Sequence, residues 1–194
     1  LTQMQRATFL GYSETDLLTD ELLYRGIEVT TGIISQHDFG RPCFPMIPYA
    51  RLVLQGSRLN FESRYDSQQI AQHRGEDLAL GGIFDHVGGG FHRYTVDSTW
   101  TVPHFEKMLY DNGQIVEFLA NLWSSGQKEP AFQRAIAKTV QWLKREMTAP
   151  QGYFYASQDA DNFTTPAAAE PEEGDFYIWS YQELADLLTS EELE

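Results

Sequence analysis

The stretch GGIFDHVGGGFHRYTVDSTWTVPHFEKMLYDNGQ, Gly81 to Gln114, decides the reading of this chain. It holds three of the five histidines, His86, His92 and His104, with Asp85, Asp97, Glu106 and Asp111, around the triple glycine Gly88–Gly90. Titratable side chains are ordinarily solvated. Gathered beside glycines and aromatics, they point to a pocket that binds or reacts. The glycines carry only a weak phosphate-loop signal, because neither GxxxxGK nor GxGxxG follows a strand. Their plain reading is a helix exit that needs positive φ and close backbone approach.

Outward from this segment, helical periodicity dominates. Leu18, Leu22, Val29 and Ile33 recur at helical spacing, with Ser13 as the expected N-cap. His37 to Pro48, with three prolines and a glycine, reads as an irregular loop. Helices are expected over 49–62 and 67–83. Pro103 stands where a first-turn proline belongs, which predicts a helix starting there and carrying Met108, Ile115, Phe118, Leu119 and Leu122 on one face. After a turn at Ser124–Gly126, Phe132, Ile136, Val140, Leu143 and Met147 form a second amphipathic stripe, so the two helices make an αα-hairpin. Beyond Pro150, GYFYAS (Gly152–Ser157) and DFYIW (Asp175–Trp179) read as short strands bracketing an acidic loop. Ser180 followed by Glu183 is a capping box opening a last helix. The expected class is all-α, built of αα-hairpins, with one small β-hairpin near 152–179.

The composition limits the function. With 28 acidic against 14 basic residues, a net charge of −14 disfavours nucleic-acid and anionic-membrane partners and suits a neutral or cationic small ligand. A single cysteine, Cys43, excludes an internal disulfide and a CxxC redox pair. No apolar run approaches the ~20 residues of a transmembrane helix. No signal peptide is visible, so a cytoplasmic location is the default. The absence of an initiator Met predicts that residues 1–194, taken as a single domain, begin inside a longer protein.

His104 is at an element end, well placed to enter a cavity, and imidazole titrates near ~6.5, as general acid–base work requires. Its spacing to Glu106 is not HExxH, and no Cys-rich set accompanies it, so neither a metal nor a cofactor is expected. Asp159 and Asp161, with Glu172 and Glu173, do not follow an EF-hand loop. They read as a solvated turn, as sugar-hydroxyl ligands or as a catalytic carboxylate pair. Aromatics including Trp100, Tyr155 and Tyr177 lie near these groups in sequence. Such rings are mostly core, but they are also what a carbohydrate cleft requires.

DHVGGGFHRYTVDSTWTVPHFEKMLYDNGQ, from Asp85, closely resembles the signature of the spermatogenesis-associated protein 20 family of thioredoxin-domain-containing proteins. YASQDAD with EEGDFYIW resembles that family's acidic-loop motif. DFGRPCFP, Asp38 to Pro45, resembles a weaker one that is usually richer in glycine, with lysine before Phe-Pro. The resemblance implies an N-terminal thioredoxin-like domain, absent here, followed by an (α/α)6 toroid similar to six-hairpin glycosidases and N-acylglucosamine 2-epimerases. This chain corresponds to the toroid's first half, whose apolar helix faces would need the remaining hairpins or a partner chain.

Two functions follow as expectations. In a carbohydrate-active enzyme, a sugar epimerase, isomerase or glycosidase, His104, Glu106, Asp161 and His86 are the catalytic candidates, and His92, Arg93, Trp100, Asp159 and Tyr155 would bind a small saccharide. In a non-catalytic module presenting a ligand to a thioredoxin-like domain, His86 and His92 would bond backbone groups, and Asp97 and Asp111 would cap helices. The enzyme reading expects His86, His104, Glu106 and Asp161 to converge on one cavity.

Overall fold

A computed structural model describes residues 19–36, 42–163, 165 and 167–193. The described residues form seven α-helices and three two-stranded antiparallel sheets, so the protein is mostly helical. Helix α1, Asp20–Ser35, is capped by Thr19, whose side chain accepts from the Leu22 N–H, and carries Asp20 and Glu21 in its first turn. Such a cap is worth about 1 kcal/mol, and the acidic pair adds a favourable dipole interaction. The cap is therefore Thr19; Ser13 and Leu18 lie outside the described residues. So does part of the 37–48 loop, from which α2, Ile47–Gly56, emerges with Pro48 in its first turn.

Helix α3, Ser67–Leu80, is capped by the Asp66 carboxylate and packs against α1 and α2. Its sequence, SQQIAQHRGEDLAL, has no strong apolar stripe. The buried face consists of Ser67, Ala71, Arg74, Gly75, Leu78 and Ala79, mostly small residues that let neighbours approach closely. A Cβ on Gly75 would run into Leu122 and the Phe132 ring. Arg74 is buried, and its guanidinium donates to the carbonyls of Ile34 and Pro45 at 3.1 and 3.3 Å. It also lies 5.1 Å from the Trp100 ring. Charge-assisted bonds of this kind offset the cost of burying the charge.

The helix expected from Pro103 begins only at Leu109: α4 spans Leu109–Ser124. Residues 103–108 are instead largely extended. Tyr94–Thr95 (β1) pairs with Pro103–His104 (β2), and Lys107–Met108 (β3) pairs with Ser157–Gln158 (β4). Proline lacks an N–H in a strand as well as in a first helical turn, so its preference for either does not discriminate between them. Asn112 fixes the junction. Its buried amide accepts from the Phe91 N–H at 2.7 Å and donates to the carbonyls of Phe91 and Met108.

The αα-hairpin is present: α5, Pro130–Arg145, packs against α4. On α4 the buried residues include Ile115, Phe118, Leu119 and Leu122, as the spacing predicts. On α5 the buried stripe is Phe132, Ala135, Thr139 and Trp142 rather than the one through Val140. The two large rings set the rotation, and the Trp142 indole N–H donates to Gln158 at 3.0 Å. The expected strand pairing between 152–157 and 175–179 does not form. Asp161–Asn162 (β5) pairs with Glu172–Glu173 (β6) inside the acidic loop, and Asp175–Tyr177 is a 3-10 turn. The Ser180–Glu183 capping box opens α6, Tyr181–Leu187, as expected, followed by α7, Ser190–Leu193. Among the described residues no helix is long and apolar enough to cross a membrane.

Candidate active site

The extended 103–108 segment positions the site. His104, on β2, lies opposite Tyr94 in the β1 pair, and the two rings stack at 4.8 Å. Its Nδ1 is 2.6 Å from Glu173 Oε1, and its Nε2 is 3.8 Å from Glu106 Oε2. A carboxylate at Nδ1 holds that nitrogen in its N–H form and leaves Nε2 to exchange a proton. Glu106 is not in a helix turn. It accepts from Arg93 at 3.1 Å, and its carbonyl accepts from the Arg93 N–H at 2.8 Å. Asp161 enters through the backbone, as the strand partner of Glu173, while Asp159 accepts from the Asp161 N–H in a local turn.

Other candidates lie elsewhere. His86 donates from Nε2 to the Gly81 carbonyl at 3.1 Å, and its Nδ1 is 3.5 Å from Arg134. Among the described residues no hydrogen bond or ion pair joins it to His104, Glu106 or Asp161. His92 is buried, its Nδ1–H donating to the Phe105 carbonyl and its ring set edgewise to Phe105 and Tyr177. Burial, with the nearby Lys107 charge, pushes its imidazole down to about 4, so it is neutral at pH 7. Trp100 is a core residue. Tyr155 packs edgewise on Tyr153 and is half-exposed.

Two carboxylates that the sequence names only as members of larger acidic groups join the site, and a buried cation lies across the strand from it. Glu173 holds His104, although its sequence signal is only membership of the acidic loop. Asp111, in the first turn of α4, has a buried Oδ2 without a hydrogen-bond partner. Burial pushes its carboxyl up to about 6, against the pull of Arg93. Lys107 is buried, donating to Asp85 Oδ2 at 2.7 Å and to the Gly89 carbonyl at 2.8 Å. Among the described residues no group of three or more His, Cys, Asp or Glu side chains is arranged to hold a metal ion.

Fold and site together define a mostly helical protein whose histidine–carboxylate cluster is clamped by short antiparallel pairs at the ends of its helices. No protein-family model matches the chain. It is 40% identical over 139 residues to spermatogenesis-associated protein 20 of Homo sapiens, covering 71% of this chain and 16% of that protein. The protein of the same name in Mus musculus is 40% identical over 140 residues, with the same coverage of both chains. That of Rattus norvegicus is 41% identical over 124 residues, covering 63% and 15%. The chain belongs to the spermatogenesis-associated protein 20 family, and it spans 16% of the length of its human and mouse relatives.

Proposed function

We propose that this chain builds one wall of a saccharide-handling cleft in an α/α toroid, in which His104 moves a proton beside an open-chain sugar carbonyl. The observation that carries this reading is the 2.6 Å contact between His104 Nδ1 and Glu173 Oε1, with Tyr94 stacked on the imidazole. Orientation by a carboxylate leaves Nε2 as the exchanging nitrogen, the arrangement that general acid–base catalysis requires. Epimerase or isomerase chemistry is favoured over glycoside hydrolysis. The imidazole stands between Glu106 and Glu173, where a glycosidase would leave space for the scissile bond between its two carboxyl groups. Asp161 and Asp159 lie along the same acidic loop as candidate hydroxyl ligands.

The exposed Ile178, Trp179 and Tyr181 would pack against the toroid's remaining hairpins. The single cysteine suits a cytoplasmic setting.

The second reading, a ligand-presenting module, is favoured by other residues of the motif. His86 and His92 donate to backbone carbonyls, and Asp97 accepts from the N–H groups of Thr99, Thr101 and Val102. One experiment separates the two. The full-length protein that contains this chain is incubated in D2O with aldohexoses and N-acylhexosamines, and C2 deuteration is followed by NMR. The enzyme reading expects exchange that disappears in His104→Asn. Saccharide binding without exchange would establish the module instead.

A further inference from the structure

Behind the 103–108 segment lies a cavity of about 300 Å³ that the His104 reading does not use. Along extended backbone, successive side chains take opposite faces. His104 and Glu106 take one. Phe105 and Lys107 take the other, where Phe105 stacks on Tyr177 at 5.0 Å and the Lys107 ammonium lies 5.2 Å from the same ring. The volume is at the low end for small-molecule sites, enough for one ring and not for a chain of them.

The lining is donor-rich. Lys107 uses two of its three protons, on Asp85 and Gly89. Gln158 accepts from the Trp142 indole through its oxygen, which leaves the amide NH2 open. Arg145 uses Nε on Glu146 and one terminal nitrogen on the Gly88 carbonyl, keeping its other donors. Among the described residues no hydrogen bond engages the Tyr177 hydroxyl. Burial, with the charges of Asp85 and Glu146, pushes that hydroxyl up to about 12, so it stays protonated.

The acceptors, by contrast, are largely taken. Asp85 Oδ1 receives the N–H groups of Val87 and Gly88, and Oδ2 receives Lys107. Glu146 retains one oxygen, and Asn162, whose amide N–H donates to the Ala160 carbonyl, retains its own. The protons of a neutral sugar's hydroxyls would find few partners here, whereas a carboxylate only accepts. The charges of Asp85, Glu146, Lys107 and Arg145, the ionised groups of the lining, cancel, so the lining itself adds no net repulsion to the overall charge of −14 against which an anion binds. Phe176, exposed at the cavity's edge and set edgewise to Tyr177, supplies an aromatic face for a sugar ring.

We infer that this cavity binds a monocyclic sugar acid, a hexuronate, with its ring against Phe176 and its carboxylate towards Arg145 and Gln158. The site lies across the strand from His104 and does not depend on that residue's role.

Titration calorimetry of the chain with sodium D-glucuronate, D-glucose and sodium acetate tests it. Glucuronate binds, glucose binds at least about tenfold more weakly, and acetate more weakly still. Arg145→Ala weakens glucuronate by about tenfold, the effect of one lost charge-assisted hydrogen bond, and Tyr177→Phe, which removes a neutral donor, weakens it by about threefold. His104→Ala leaves glucuronate affinity unchanged even where it removes C2 exchange. Equal affinity for glucose would mark a neutral-sugar site, and equal affinity for acetate a simple anion patch. Either result overturns the inference, as does failure to bind glucuronate, or a loss of its binding in His104→Ala.

Discussion

Lys107 and Asp85 form an ion pair at 2.7 Å with both side chains almost sealed from solvent, at 2% and 12% exposure. The pair joins β3 to the turn that precedes the triple glycine. It also closes one end of the cavity beneath Trp142, whose ring is 5.5 Å from the ammonium. Burial alone would raise the Asp85 carboxyl, but the Lys107 charge and hydrogen bond, with the Gly88 and Val87 N–H groups, hold it below the usual carboxylate range. The most polar part of the signature motif thus anchors β3 and one end of the cavity, while His104 and Glu106 take the alternate face.

Removing one partner of this pair costs far more than removing both. Asp85→Ala leaves an uncompensated buried ammonium and is expected to lose about 3–5 kcal/mol in urea unfolding. Asp85→Ala combined with Lys107→Met recovers most of that loss. Losses in Asp85→Ala and Lys107→Met that simply add in the double variant would show that the pair carries no coupling.

His92 makes stability depend on acid. Its imidazole titrates near 4 when folded and near its ordinary value of 6.5 when unfolded. Between those values the unfolded chain binds a proton that the folded chain does not. Stability is therefore full above pH 6.5 and falls as the pH drops towards 4, by about 3 kcal/mol from this residue. His92→Asn keeps a donor for the Phe105 carbonyl and removes the titration. Its unfolding free energy, compared with the parent at each pH, should show that component missing. Parallel curves would assign the acid loss to other groups.

The helices are legible in the sequence because periodicity and caps are local. The α4 stripe follows directly from spacing, and the capping box at Ser180 needs only two residues. Residues 103–108 are not legible, because Pro103 suits a first helical turn and a strand equally well. Only the distant partners Tyr94 and Ser157 decide between them. The same ambiguity conceals Lys107: on a helix it reads as a surface charge, but on an extended segment it alternates with Glu106 and faces inward. Residue type alone is enough to find His104 and Glu106. It does not single out Glu173, whose contact spans 69 positions and depends on the β5–β6 pairing.

Asp111 titrates in the opposite sense to His92. Its carboxyl, pushed up to about 6 from 3.8, holds a proton in the folded chain over a range where the unfolded chain has released it. Its contribution is most favourable below pH 3.8 and is lost as the pH rises through 6. Asp111→Asn mimics the protonated form and should stabilise the protein at pH 7. The group is about half solvated, so screening reduces the gain to about 1 kcal/mol. Thermal unfolding at pH 7 and pH 4 checks this: the variant should melt higher than the parent at pH 7 and at the same temperature at pH 4. No difference at pH 7 would mean that Arg93 already compensates the charge.

The middle glycine of the triplet is the position where a single methyl group should do most damage. Gly89 has φ +83°, and a Cβ there would run into the backbone carbonyl of Lys138, which cannot swing aside as a side chain would. Its own carbonyl is an acceptor for Lys107. Gly89→Ala therefore combines left-handed strain, a backbone clash and a displaced partner for the buried ammonium, and should cost more than about 2 kcal/mol. Gly113 is the control. It is exposed within α4, and a Cβ added there would meet nothing within 4 Å, so Gly113→Ala should stabilise by about 0.5–1 kcal/mol. Chemical denaturation of both variants decides the matter. A Gly89→Ala protein as stable as the parent would mean that the α5 backbone yields to the loop, and the Lys107 anchorage would then be looser than its two hydrogen bonds imply.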